Sequence, residues 1–396
     1  MNLCLLSTLL GTERNLLYDG VSYSWVNVIP DNVWTVGQSN IPSDLLWSMH
    51  VAGAPLPRFP NDAYRAPWKE LRANKDIGVP WFLSLPTKTF KGLLSDMVRH
   101  LWSFLNDESN RYYLDDLKQH RELLENLLPA KVDTGRLHKH FHNLEQSALK
   151  ASLEKFSPDE SGFIQKIAYD QAGSVTGRLT VREGPNILTL KKKYRDIFQS
   201  QFNNGKLVQV DIRSLEPRIA MYLAGQECEG DIYKSIFDQL DITIEREIAK
   251  KIIISTLYGM TPRNLRKMMP QHLEITKISK EIRSFFQIQK LEEKIQYQIK
   301  DMDYFTNHYG RKLKESNSLI NHFLQSTGVD VSLCSFSYLI KELQKNRCNF
   351  YPLFVIHDAL ILDIDNKDLN TLAQIVNNDL VAPEFDQRFP AQLSLF

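Results

Sequence analysis

Residues 207–218, LVQVDIRSLEPR, set the frame in which the rest of the chain is read. Leu207, Val208 and Val210 suit a largely buried strand, and Asp211 comes where that apolar run gives way. In the continuation LEPRIAMYLAG, Ile219, Tyr222 and Leu223 fall at helical spacing and Gly225 is a natural stop. The pattern is a strand, a carboxylate at its end, and a helix carrying Glu216 and Arg218. An acidic residue in that position is ordinarily a turn or capping group. It acquires chemistry only if other stretches bring partners to it.

Working outward, 396 residues are enough to bury a large core and divide into several lobes. Lys+Arg 48 against Asp+Glu 47 leaves a formal charge of +1, so a polyanionic partner would have to be met by local segregation of charge. Cys4, Cys228, Cys334 and Cys348 form no CxxC or Cys/His cluster, which argues against a zinc site or a disulfide framework and fits a reducing cytoplasm. Any metal should therefore be held by oxygen. The apolar start, LCLLSTLLG, lacks a preceding cation and is too short to span a bilayer, so it reads as folded structure. A soluble protein without a membrane partner is the expectation.

Residues 1–88 hold eight of the seventeen prolines and five of the six tryptophans, which favours short strands and turns in a small N-terminal lobe. The tryptophans could stack on bases, but packing is the better reading. From Phe90 the period becomes helical, with Leu94, Val98, Leu101 and Leu105 on one face. A second helix runs through YLDDLKQHRELLENLL to Pro129, and a third follows Asp133 or Thr134 as N-cap. Its histidines, His138, His140 and His142, are two apart and so scatter around a helix, against a metal site. The basic run Lys191, Lys192, Lys193 and Arg195 lies just upstream of the Asp211 strand, where it could line a groove for a phosphate backbone.

In EREIAKKIIISTLYG, Arg246, Lys250, Ile254 and Tyr258 recur every four residues, each step drifting about 40° around the helix, with Gly259 as its stop. Two cations followed by a ring suit a ligand with a polyphosphate at one end and a flat base at the other. Residues 274–300 read as one or two charged helices. NHFLQSTGVD sets Asn321 and Gln325 one turn apart on one side of a helix. LFVIHDALILDI alternates around His357-Asp358 and reads as a β-hairpin with Asp358 at its tip.

Taken together, these strings resemble the family A DNA polymerases. DIRSLEPR is similar to their motif A, REIAKKIIISTLYG to motif B, IHDALI to motif C, SVTGRL to their TGRL segment, and NHFLQSTGVD to their N-x-x-x-Q-x-T helix. The match covers residues 174–364, and AKVDTGRLHKHF resembles the start of their thumb. The resemblance implies an α+β right-hand fold: an antiparallel palm sheet, helical fingers and a short helical thumb beside the N-terminal lobe. The divisions would be 1–88 (lobe of unknown role), 89–173 (thumb-like), 174–225 (palm, motif A), 226–310 (fingers, motif B) and 311–396 (palm, motif C).

It also implies template-directed addition of dNTPs to a primer 3′-OH. Asp211 and Asp358 would hold two Mg²⁺ ions, with Mn²⁺ as an alternative, and Lys250 would act with them as a catalytic group. Arg246, Lys250, Ile254, Tyr258 and Glu216 would meet the dNTP, Glu216 filling the space of a ribose 2′-OH. Arg178, Asn186, Asn321, Gln325 and His357 would contact primer–template DNA. A processivity or replisome protein would be a further partner, and the setting would be the cytoplasm of a bacterial or phage-infected cell. Ala359 stands where the family has a second carboxylate, Ile254 where it has an aromatic, and Arg213 adds a cation to motif A. Only 44 residues separate Asp133 from Arg178, so the thumb is short and duplex grip should be weak. Residues 1–88 contain no D-x-E and are too few for a 3′–5′ exonuclease, so proofreading should be absent. Two rival readings remain: a polymerase-derived DNA-binding scaffold, favoured by Ala359, and a single-subunit RNA polymerase relative, disfavoured by Glu216.

Overall fold

The computed structural model describes residues 2–37, 40–59, 84–143, 147–226 and 230–396. The proline-rich stretch beyond Phe59, with Trp68 and Trp81, lies outside the described residues, as does Cys228. The chain forms two compact units, Met1–Glu122 and Leu123–Phe396.

The first unit opens with β1 (Asn2–Leu5), the short helix α1 (Ser7–Leu10), β2 (Asn15–Tyr18), β3 (Tyr23–Val26) and β4 (Val33–Val36). They make a sheet of order β3-β2-β1-β4, with β4 parallel to β1 and the other pairs antiparallel. The apolar start of the chain is thus a central strand. Helices α2 (Leu45–Val51) and α3 (Thr87–Asn106) join this sheet in one core that includes Leu3, Leu5, Trp34, Met49, Val98 and Leu101. The next helix, α4 (Glu108–Glu125), adds Leu114 to it. The first unit therefore takes in α3 and most of α4, which the sequence reading assigns to the 89–173 region. Trp34 is buried beneath Lys118, whose Nζ lies 4.0 Å from the ring, and packs in the core; Trp47, partly buried, is covered by Arg121, and Trp25 on the edge strand is half exposed.

In the second unit the chain runs through β5 (Lys131–Val132), α5 (Thr134–His142) and α6 (Ser147–Glu154). Asp133 is the N-cap of α5, its carboxylate accepting from the Arg136 amide, as the sequence predicts. Of the three histidines, His140 bonds Asp196 at 2.7 Å and packs edge-on against Tyr194, a structural role. Strands β6 (Ala168–Asp170), β7 (Thr180–Glu183), β8 (Phe198–Gln199) and β9 (Gly205–Ile212) follow, then α7 (Leu215–Leu223) and α8 (Ile232–Gln239). Four helices come next, α9 (Arg246–Leu257), α10 (Pro262–Arg266), α11 (Ile275–Phe285) and α12 (Ile288–Met302), the last two answering to the charged helices expected over 274–300. The two-residue strands β10 (Phe305–Thr306) and β11 (Lys312–Leu313) lead into α13 (Leu319–Lys345), a helix of 27 residues buried on most of its circumference. The hairpin β12 (Phe350–Ile356) and β13 (Ala359–Asp365) comes after it, then α14 (Leu369–Asn377), β14 (Leu380–Val381), β15 (Arg388–Phe389) and β16 (Ala391–Leu395).

The central sheet has the order β12-β13-β9-β16 and is antiparallel throughout. Antiparallel sheets with helices set apart from the strands make the fold α+β. The sheet joins segments more than a hundred residues apart, because β9 pairs with β13 on one edge and β16 on the other. Ala359 faces Asp211 across one pairing and Gln392 faces it across the other. Among the described residues no helix is long and apolar enough to cross a membrane.

Candidate active site

Asp211 is the penultimate residue of β9, and the β12–β13 turn brings Asp358 beside it: the Ile212 amide donates to the Asp358 carbonyl at 3.0 Å. The turn is tight enough to hold His357 at φ 54, a left-handed conformation unusual for a residue with a side chain. Ser214, between Asp211 and α7, is also left-handed (φ 52), which turns the chain sharply so that Glu216 in the first turn of α7 joins the same space. Asp211, Asp358 and Glu216 all line a cavity of ≈ 650 Å³ whose other wall carries Arg246, Lys250 and Ile254 from α9. Three of the four stripe positions thus meet the carboxylates. Tyr258, the fourth, is the C-cap of α9 and donates its hydroxyl to Glu216 at 3.0 Å.

Glu216 is held from a second side by Arg178, whose Nη2 lies 3.3 Å from the same oxygen. Arg178, Gln325, His357, Glu216 and Asp358 line a second cavity of ≈ 260 Å³, floored by Gly328, Val329 and Ser332 of α13. Glu216 and Asp358 are common to both spaces. Asn321 lines neither, but accepts a hydrogen bond from the Gln325 amide one turn along α13. Asn186 also lines neither cavity; its carboxamide accepts from the Leu188 amide at 3.2 Å and so closes a turn.

The electrostatics follow from burial and charge. Burial pushes Asp358 up from 3.8 to about 7; the negative Glu216 and Asp211 add to the effect, and Arg178 opposes it. Asp211 is raised as well, by burial, against the pull of Lys250 and Arg213. Tyr258 is pushed up to about 12 by burial and by the Glu216 carboxylate it bonds. His357 is lowered by burial and by Arg178 and Arg195, which keeps it neutral near pH 7.

These shifts test the fit of a divalent cation. Burial raises both carboxyls, and at Asp358 neighbouring anions add to it; a divalent cation would offset that cost, and oxygen donors of this kind suit Mg²⁺. Among the described residues no group of three or more His, Cys, Asp or Glu forms a ready-made metal centre. Mg²⁺ on phosphates ordinarily takes one or two protein carboxylates and completes its shell with substrate oxygens and water; Asp211 and Asp358 would be those carboxylates.

Several lining residues carry no signal in the sequence reading. Asp231 and Tyr233 at the start of α8, Ser214, and Gln392 on β16 all face the larger cavity. Asp231 could have been found as the N-cap before IYKSIFDQ; Gln392 could not, since its place depends on a strand 181 residues from Asp211. Behind the smaller cavity a buried network was also missed: Asn307 Nδ2 donates to Asp330 at 2.7 Å and to Ser326 at 3.0 Å, and Arg311 donates to the Ser174 carbonyl at 3.1 Å. Arg311 lies directly beneath Gly177, in the turn that carries Arg178.

An antiparallel sheet bearing paired carboxylates, faced by a helix bearing paired cations, is the arrangement of a nucleotidyl-transferring enzyme. The family model for DNA polymerase family A matches residues 108–394, well over half of the chain. The fold is similar to that of the POL domain of Pol1 from M. smegmatis, solved in complex with DNA primer-template and dNTP: the TM-score is 0.61 at 14% identity, covering 91% of this chain and 81% of that one. This chain belongs to DNA polymerase family A, and is a DNA-directed DNA polymerase.

Proposed function

We propose that the chain extends a primer 3′-OH with dNTPs under template direction by two-metal-ion phosphoryl transfer, and that it does not proofread. The observation that carries the reading is the meeting of Asp211 and Asp358, from segments far apart in sequence, in one cavity with Lys250 and Arg246. Asp211 and Asp358 would hold the cations, which when bound lower the pKa of the attacking hydroxyl and neutralise the triphosphate. Arg246 and Lys250 bind the phosphates, and Lys250 offsets the negative charge that develops on the leaving pyrophosphate. Ile254 packs on the sugar as an aliphatic surface, and Tyr258 ends the stripe near the templating base.

Glu216 sits between Arg178 and Tyr258, tied to both, so it cannot easily swing aside for a ribose 2′-OH. That supports deoxyribonucleotide choice and weighs against an RNA polymerase reading. Arg178, Gln325 and His357 line the smaller cavity, which suits the primer terminus; Asn321 and Asn186, outside it, would add contacts farther along the duplex. In this reading the β12-β13-β9-β16 sheet is the palm, α8 to α12 the fingers, and α5 and α6 a short thumb. Strand β1, NLCL, offers no carboxylate for a nuclease.

Extension of a labelled primer–template with dNTPs and Mg²⁺ tests the reading. Wild type should extend, and Asp211→Asn and Asp358→Asn should each abolish extension while leaving the fold and DNA affinity near wild type. Extension by either variant at the wild-type rate would sink the assignment; extension with rNTPs but not dNTPs would move it to RNA synthesis.

A further inference from the structure

Asp231 lines the larger cavity together with Asp211, and its two carboxylate oxygens have different tasks. One oxygen caps α8, accepting the amides of Tyr233 at 3.0 Å and Lys234 at 3.3 Å. The other receives Nε–H of Arg246, the first residue of α9. The guanidinium also lies over the Tyr233 ring, 5.4 Å from its centroid, and gives one Nη1 proton to Glu247 at 2.9 Å. Although burial opposes it, the Arg246 bond and the helix amides hold the Asp231 carboxyl below its ordinary value, so it stays ionised at neutral pH.

We propose that Asp231 is the positioning residue of Arg246: an anionic anchor, fixed to the backbone of α8, that holds the guanidinium in the pose that receives the dNTP triphosphate. The inference rests on the reading of the cavity as a dNTP site. Arginine is a long side chain with much rotamer freedom, and a ligand that must first order it loses affinity in doing so. Here the ordering is done in advance by a carboxylate that is itself immobilised by two amides. The bond uses the Nε edge, so Nη2 remains uncommitted among the described residues and the planar fork can still take a phosphate oxygen. A carboxylate that merely competed with phosphate would be expected on a free side chain able to move away. Asp231 cannot move away without uncapping α8.

The proposal predicts a split between binding and chemistry. Asp231→Asn keeps a good capping residue and removes the charge. It should raise KM for dNTP about tenfold, the equivalent of one lost charge-assisted contact, while kcat changes less than about threefold. In an Arg246→Ala background the same change should add nothing, because its effect runs through that arginine. Thermal unfolding measured in parallel monitors the cap, and Asp231→Ser, which also caps, should reproduce the KM change.

A fall in KM for Asp231→Asn would make the carboxylate a competitor of the triphosphate and overturn the proposal. So would additive effects in the double variant, or loss of fold in both capping variants. A raised KM for Arg246→Ala beside an unchanged KM for Asp231→Asn refutes the positioning role alone. An unchanged KM for Arg246→Ala refutes the dNTP reading of the cavity itself.

Discussion

Asp358 and Asp363 stand five residues apart, one in the β12–β13 turn and one within β13, and show what a carboxylate's surroundings decide. Asp363 is fully buried in β13 and burial raises its carboxyl too, but the Gln201 amide, Ser200 Oγ and Lys131 all pull against that rise. Asp358 is raised to about 7 by burial and by Glu216, an unfavourable state that a cation would relieve. In chelator the sign of the consequence is fixed. The folded carboxyl holds its proton more tightly than the unfolded one, whose value is 3.8, so the folded state loses stability as pH rises from about 4 through about 7. Asp358→Asn imitates the protonated form. It should therefore match wild type near pH 4 and exceed it above pH 7 by roughly 2 kcal/mol, about half of the full shift because the group faces an open cavity. Urea titrations at both pH values measure this, and equal stability at pH 8 would contradict it. Lys250, across the cavity, should act on the rate: Lys250→Ala is expected to remove about 2–4 kcal/mol of transition-state stabilisation in single-turnover incorporation. A change confined to primer–template affinity would mark it instead as a backbone contact.

At the scale of elements, two glycines set how closely segments approach the site. Gly177 is at φ +75, and a Cβ there would lie 2.8 Å from Arg311 Nη1, an arginine bonded into the turn that carries Arg178. Gly177→Ala should cost about 1–2 kcal/mol from the left-handed conformation alone, more with the displaced arginine, and should loosen Arg178 from Glu216. Gly328 is helical, and its added Cβ would meet only ordinary contacts with Leu215 at 3.4 Å and Glu216 at 3.8 Å. Gly328→Ala should gain up to about 1 kcal/mol from helix propensity and retain extension, whereas Gly328→Leu should push α7 away and impair it. Denaturation midpoints and primer extension on the three proteins check both statements. The elements themselves were largely legible in advance: α9, its Gly259 stop at φ 78, the Asp133 cap and the His357-Asp358 hairpin all follow local rules of period and capping.

For the molecule as a whole, the proposed short thumb, α5 and α6, and the absence of D-x-E from the sequence of residues 1–88 predict weak duplex grip and no editing. With excess trap DNA, products of one binding event should be short and should shorten further as salt rises, because few phosphates are neutralised along the product. A 3′-mismatched primer should remain untrimmed. Long trapped products, or trimming that persists in Asp211→Asn, would show that the unit Met1–Glu122 supplies a clamp or a nuclease.

What the sequence by itself determined is local and chemical: which stretches are strands and helices, and which carboxylates and cations stand at their ends. Alternation and 3.6-residue spacing are properties of neighbouring residues, so they need no fold to be read. Even Glu216, Tyr258 and Arg178 could be named one at a time. Only the tertiary structure decided that Tyr258 and Arg178 grip the same Glu216 oxygen, that Gln392 faces Asp211 across β16, and that Asp231 holds Arg246. Those pairings join residues between 15 and 181 positions apart. Their energies come from burial and from direct hydrogen bonds, which exist only once the sheet has brought distant segments into register.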